Sequence, residues 1–185
     1  MFPIHIFLFH QEQRRCSNFV DIFKNNQSID VVYGMMVMCD NHLTQIEIFK
    51  RAKKILNHDP YFVNINTSVA HFFTFRKKAL EKIGGIDPSL KSAVDQDLYL
   101  KLYEIGEFKF LNKPLYLYRL HEKGVSQESN KHNAKTDFKR VIRNAMERRN
   151  VKKISGVEIA NLSNDELYEL LAKRENSFCI KIKIY

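Results

Sequence analysis

In "RRCSNFVDIFKNNQ", Phe19, Val20, Ile22 and Phe23 fall on a helical spacing that closes on an Asn-Asn turn. The next stretch, "IDVVYGMMVM", is an almost unbroken apolar run, as a buried strand requires. "IEIFKRAKKILNHDP" repeats apolar positions at Ile48, Phe49, Ala52, Ile55 and Leu56, which predicts a helix that stops before Pro60. "SVAHFFTF" reads as a strand. "RKKALEKIGG" reads as a short helix with Gly84 free to take the left-handed conformation at its C-cap. Leu98, Leu102 and Ile105 then form one helical face, and "EFKFLNKPLYLYRLH" forms two strand-like runs about an Asn-Lys-Pro turn. Helices alternating with buried strands predict an α/β fold, with Val31 to Val37, Val69 to Phe75 and Leu115 to Leu120 in one sheet.

The last third differs in kind. "NAKTDFKRVIRNAMERRN" places Ala134, Phe138, Val141, Ile142, Ala145 and Met146 on one stripe and keeps Lys135, Lys139, Arg143 and Arg148 off it, an amphipathic basic helix. Its apolar stripe should pack inward while Lys139 and Arg143 stay solvated. Ser163 and Glu166 make a capping box at the start of a second helix. "FCIKIKIY" alternates isoleucine with lysine, the pattern of an edge strand.

Composition narrows the class. With 44% apolar residues and 12% aromatics in 185 residues, the chain has ample material for a packed core. Cys16, Cys39 and Cys179 are odd in number and lack any CxxC spacing, so neither a disulfide framework nor a zinc knuckle is indicated, and a reducing cytosol fits best. The opening run "MFPIHIFLF" is too short to span a bilayer and has no basic residues ahead of it, so neither a signal peptide nor a membrane span is expected there. Of the net charge of +9, +7 lies between Lys131 and Lys153, where nine basic residues face two acids. The body is nearly neutral and the tail basic.

The candidate chemistry begins in "SAVDQDLYLKLYEIG". Asp95 and Asp97 stand at a helix start, where a carboxylate can cap amides and face the positive end of the dipole. A metal-binding DxD would follow a buried strand in a tight turn, and "LKSAV" is not a strand, so that reading is set aside. His121, alone at a strand end, is an ordinary partly buried hydrogen-bonding histidine unless something else marks it.

Four motifs in order mark it. "FVDIFKNNQSIDVVYG", "FRKKALEKIGGID", "VDQDLYLKL" and "NKPLYLYRLHEKGVS" make the stretch from about Asn18 to Ser126 resemble the C-terminal, acceptor-side half of a family 2 glycosyltransferase of the GT-A fold. The resemblance implies an incomplete GT-A-like mixed sheet flanked by helices. It divides the chain into an unmatched segment 1–17, the glycosyltransferase half 18–126 and a basic helical tail 127–185 with a terminal strand.

It also implies an inverting transfer from a nucleotide sugar to a glycan or lipid-linked acceptor, in polysaccharide biosynthesis. Asp95 aligns with the base that takes the proton of the attacking hydroxyl. Asp97 would orient the helix or touch the acceptor. Arg119 would lie near the diphosphate, for which a guanidinium is suited, and His121 would approach a divalent metal, manganese or magnesium.

The match starts just after the place where such enzymes carry their DxD, and "MFPIHIFLFHQEQRR" resembles nothing in their nucleotide-binding half. The expectation is therefore an acceptor-side portion that binds no metal and transfers no sugar by itself: a fragment, one part of a split enzyme with a complementary N-terminal half, or a remnant. The alternative from another class is a non-catalytic binding module. It would use Lys135, Lys139, Arg140, Arg143 and Arg148 against an anionic membrane surface, peripheral to the cytoplasm. Nucleic acid is disfavoured because few aromatics interleave with the basic residues.

Overall fold

The computed structural model describes residues 13–70, 72–120 and 128–182. Within them the chain is a mixed α/β unit: a four-stranded sheet with helices against both faces, followed by a helical C-terminal part.

The sheet is built around β1 (Ile29–Cys39), the apolar run expected to be a buried strand. Its β-branched and aromatic side chains suit a pleated surface, and their period of two sends alternate residues to opposite faces. Val31 and Tyr33 join one core, with Leu98, Leu102, Val141 and Ile142. Val32 joins another, with Phe19 and Ile29, against which Ile22 and Phe23 of α1 (Gln13–Asn25) pack. β4 (Glu107–Arg119) runs parallel to β1 along its whole length. β3 (Phe73–Phe75) and β2 (Gln45–Ile48) are antiparallel to β1, the first opposite Val31 to Tyr33 and the second opposite Val37 to Cys39. The three runs expected in one sheet do share it, although the middle one is a strand only over Phe73–Phe75.

α2 (Lys77–Lys82) ends as expected, with Gly84 at φ 77°. α3 (Val94–Ile105) is followed by a single residue before β4. That residue, Gly106, lies so close to Asp30 that a Cβ would come within 2.4 Å of its carboxylate, so the sharp return from helix to strand requires glycine.

Three expectations are corrected. "IEIFKRAKKILNHDP" is not a helix: its first residues form β2, and the rest follows an irregular path. The reason lies in tertiary hydrogen bonding, because side chains elsewhere supply partners that a helix would have taken from itself. The Tyr33 hydroxyl donates to Lys53 O at 2.8 Å and accepts from Ile55 N at 3.0 Å. The Tyr103 hydroxyl likewise donates to Leu56 O at 2.6 Å and accepts from Asp59 N at 2.7 Å. Asn57 brackets the backbone of Phe108 with both ends of its amide.

The Asn-Lys-Pro turn is instead a bulge inside one continuous strand. Register passes from Gly34 opposite Leu111 to Met35 opposite Pro114, leaving Asn112 and Lys113 as extra residues where proline cannot donate to the ladder.

In the C-terminal part, α4 (Glu128–Arg148) leads through a small hairpin, β5 (Lys153–Ile154) and β6 (Val157–Glu158), to α5 (Asn164–Ile182). In place of the expected terminal strand, α5 continues into the isoleucine-lysine alternation as far as Ile182, and 183–185 lie outside the described residues. Once the capping box has nucleated a helix, each added residue costs little, and a short alternation does not stop it. Ser163 and Glu166 make that box, the Glu166 carboxylate accepting from Ser163 N at 2.8 Å while Glu166 N donates to Ser163 Oγ at 3.2 Å.

Candidate active site

α3 begins after Ala93, which holds φ 56° and provides no side-chain cap; neither aspartate caps the helix through a side-chain hydrogen bond. Two residues apart on a helix means roughly 200° around its axis, so Asp95 and Asp97 face different surroundings. Asp97 is 3% exposed. Lys101, one turn on, lies 2.6 Å from Asp97 Oδ2, and Arg148 reaches Oδ1 at 3.8 Å from α4. The buried Asp97 carboxylate thus ties α3 to α4.

Glu104, two turns further along, continues the seam. Arg148 Nε donates to it at 2.7 Å and Arg149 Nε at 3.1 Å. Arg149 also donates to Phe62 O at 2.5 Å and covers the Tyr103 ring at 5.4 Å. Burial pulls the Arg149 pKa down, against the opposing pull of the Glu104 charge.

Asp95 is exposed and makes no hydrogen bond or ion pair with a described residue. Its charge adds to burial in pushing the hydroxyl of Tyr99, one turn on, well above the usual tyrosine range. Beside it, Gln96 Oε1 accepts from Asn64 Nδ2 at 3.0 Å. The first turn of α3 thus presents an exposed carboxylate on a surface bordered by the loop that contains Asn64.

Ring contacts fix how α3 lies on the sheet. Tyr103 meets Phe108 at 5.7 Å, near the start of β4, and Tyr99 meets Phe73 at 4.5 Å, beside the middle of β1. The helix start and the strand end therefore point the same way. Arg119 sits exposed at the end of β4, in register with Cys39, and is not brought into contact with Asp95. His121 lies outside the described residues.

Clefts lined by described residues open elsewhere. One of about 370 Å³ lies between α1 and β4, lined by residues including Phe19, Ile22, Leu111 and Lys113. Another of about 200 Å³ is lined by His58, Pro60, Tyr103 and Arg149 among others. Neither includes Asp95 or Arg119. Among the described residues no three His, Cys, Asp or Glu side chains converge to hold a metal, so no chemical step is assigned to one.

The basic helix is corrected in part. Val141, Ile142 and Ala145 are buried and Phe138 packs against the core, as expected, but Lys139 and Arg143 are not left to solvent. Lys139 Nζ lies 2.5 Å from Asp165, and Arg143 donates to the Asn164 side chain and, at 2.5 Å, to Leu162 O. These cations anchor the start of α5. Arg140 pairs with Asp137 at 3.3 Å, and Lys135 stands 5.8 Å from the centre of the Tyr168 ring. Much of the charge meant for a membrane surface is spent within the chain. No helix among the described residues is long and apolar enough to cross a membrane.

No protein-family profile matches the chain. Over 98 residues, 53% of its length, it is 34% identical to a chondroitin synthase of Escherichia coli, of which that stretch is 14%. A chondroitin synthase of Pasteurella multocida (strain Pm70) is 33% identical over 98 residues, 10% of that protein. A hyaluronan synthase of Pasteurella multocida is 41% identical over 56 residues, 30% of this chain and 6% of that one. The chain thus spans about a seventh or less of the curated relatives it matches. These relatives are glycosyltransferases, as the four motifs led one to expect for about half of the chain.

Proposed function

We propose that residues 18–126 form the acceptor-side portion of a sugar-transferring unit, with Asp95 as its general base. The observation that carries this reading is an exposed Asp95 that pairs with none of the described residues, in a chain similar over about half its length to polysaccharide synthases, while its neighbour Asp97 is buried and doubly paired. A carboxylate left free of cations keeps its lone pairs for a substrate hydroxyl.

In the transfer, the acceptor oxygen attacks the anomeric carbon of a nucleotide sugar and forms the new glycosidic bond. The bond to the diphosphate breaks, and the diphosphate leaves with its electrons. Asp95 accepts the hydroxyl proton as attack proceeds, so the oxygen never carries a full positive charge. In this reading Arg119 approaches the diphosphate and His121 belongs with a divalent ion. The step assigned here to the chain needs only Asp95. The acceptor class suggested by the relatives is a glycosaminoglycan-like chain, and a complementary nucleotide-binding half completes the enzyme.

The test is transfer from UDP-sugars to chondroitin and hyaluronan oligosaccharides, by this chain alone and with a separately expressed nucleotide-binding half. The expected result is turnover that needs the second half and is lost in Asp95→Asn. Turnover unchanged by Asp95→Asn would overturn the assignment of the base.

A further inference from the structure

The loop at residues 64–69 is held in an unusual shape. Asn64 and Thr67 both have positive φ, 58° and 55°, and for threonine, branched at Cβ, that conformation is costly. Such backbone persists only where the surroundings over-determine it. Here they do. Asn64, 1% exposed, donates to Val69 O at 3.0 Å and accepts from Val69 N at 2.9 Å. Between these ends, the amides of Ile65 and Asn66 donate to the two carboxylate oxygens of Glu175 at 3.2 and 3.1 Å.

Glu175 belongs to α5, about 110 residues away in sequence, and is itself buried. Burying a carboxylate is costly unless its lone pairs are used, and two backbone amides use them. What the carboxylate stabilises is the loop conformation. The loop in turn grips α3, because the Asn64 Nδ2 that donates to Val69 also donates to Gln96 Oε1 at 3.0 Å. Gln96 is the residue next to Asp95.

We infer that Glu175 is a positioning residue for the acceptor surface at the start of α3, acting through the loop at residues 64–69 and Gln96. What the surface binds rests on the sugar-transfer reading; the relay itself does not. The C-terminal helix is thereby part of the site's construction. Its contribution is to keep the Asn64–Gln96 contact closed, which sets the first turn of α3 and with it the direction of the Asp95 carboxylate.

The experiment uses the full chain, labelled with ¹⁵N. Glu175→Gln keeps the size of the side chain but replaces one acceptor oxygen by a donor. The expected result is that one of the Ile65 and Asn66 amides loses its hydrogen-bonded shift, and that the side-chain amides of Asn64 and Gln96 and the backbone amide of Asp95 move with it. Movement confined to residues 65 and 66 would overturn the relay. Gln96→Ala, which cuts the relay with Glu175 intact, should move Asp95 in the same direction and make Glu175→Gln silent there.

Should Glu175→Gln fail to fold, the wild-type protein answers the question by titration. Lys53, Asp59 and Tyr168 act electrostatically on the carboxylate, and Asp59 is itself paired with Arg174. The Ile65 and Asn66 amides and the Gln96 side chain should titrate with one midpoint, and separate midpoints would break the link. With a glycosaminoglycan oligosaccharide as probe, Glu175→Gln should weaken binding about tenfold, the worth of one charge-assisted hydrogen bond. Unchanged affinity in a variant that still binds would overturn the positioning role. No binding by the wild type would count against the transfer reading and leave the relay to be judged by the resonances.

Discussion

The Lys101 ammonium lies 2.6 Å from Oδ2 of Asp97, inside the protein and one helical turn along from it. With Arg148 near the other oxygen, Asp97 is a buried charge whose removal leaves Lys101 without its carboxylate, while Arg148 keeps Glu104. Asp97→Ala should therefore destabilise by about 3 kcal/mol, the usual cost of breaking a buried pair from one side. Asp95, exposed two residues earlier, should tolerate Asp95→Asn within about 0.5 kcal/mol, as surface positions do. Urea unfolding of the two variants separates the roles. Equal losses would mean that Asp95 too is structural.

The irregular path from Lys53 to Asp59 depends on two tyrosine hydroxyls, each bonded to one carbonyl and one amide. Tyr33→Phe leaves the Ile55 amide without its acceptor and Tyr103→Phe does the same to Asp59, a cost of about 1–3 kcal/mol each. Hydrogen exchange should show the loss first at Ile55 in one variant and at Asp59 in the other. Exchange that stays at wild-type rates in both would show that another group holds this segment.

That segment also shows why some of the fold was legible and some was not. β1, α3 and the start of α5 announce themselves through local signals: an apolar run, a helical stripe and a capping box. Residues 49–59 carry a helical spacing, yet their hydrogen-bond partners come from Tyr33 and Tyr103, some twenty residues before and forty-four after. No window on the sequence contains both ends of such a bond. The same holds for the site. Asp95 could be singled out from its motif, whereas Glu175 acts across about 110 residues and has no pattern of its own. Asn64 left one faint trace, since asparagine tolerates positive φ better than most residues. The basic helix misled for a related reason: Lys139 and Arg143 look solvated until the start of α5 is placed against them.

Acid should loosen the start of α5. The Lys139 ammonium holds the Asp165 carboxyl below its ordinary 3.8, and the Ser163 amide and hydroxyl hold that of Glu166 below 4.5. Groups with lowered folded pKa values add stability above their unfolded values and lose it as pH falls through the folded ones. Glu175 has the opposite sign, because burial raises its pKa above 4.5. Folding favours its protonated form, so stability is lost as pH rises from about 4.5 through the raised value. Protection factors of the amides at residues 163–167, taken relative to the intrinsic exchange rate at each pH, should fall on acidification below about 4.5. Chemical denaturation of Glu175→Gln should lack the loss seen in wild type as pH rises through that window. A wild-type curve that rises with pH there, with the same shape in the variant, would contradict the assignment.

Arg149 offers the sharpest test of how the C-terminal part is joined to α3 and to residues 60–62. Its side chain is 7% exposed and binds Glu104 at 3.1 Å, Phe62 O at 2.5 Å and Pro60 O at 3.2 Å. Lysine brings the same charge but no planar fork, so it cannot satisfy a carboxylate and two carbonyls set around a guanidinium. Arg149→Lys should cost about 1–2 kcal/mol and Arg149→Met more, because methionine leaves both carbonyls without a donor. Glu104 keeps Arg148 in either case, which limits the loss to less than that of a fully orphaned charge. A double-mutant cycle with Glu104→Gln should return a coupling of about 1–2 kcal/mol for residues in contact. A coupling near zero would mean that the carbonyls, and not the carboxylate, hold Arg149 in place.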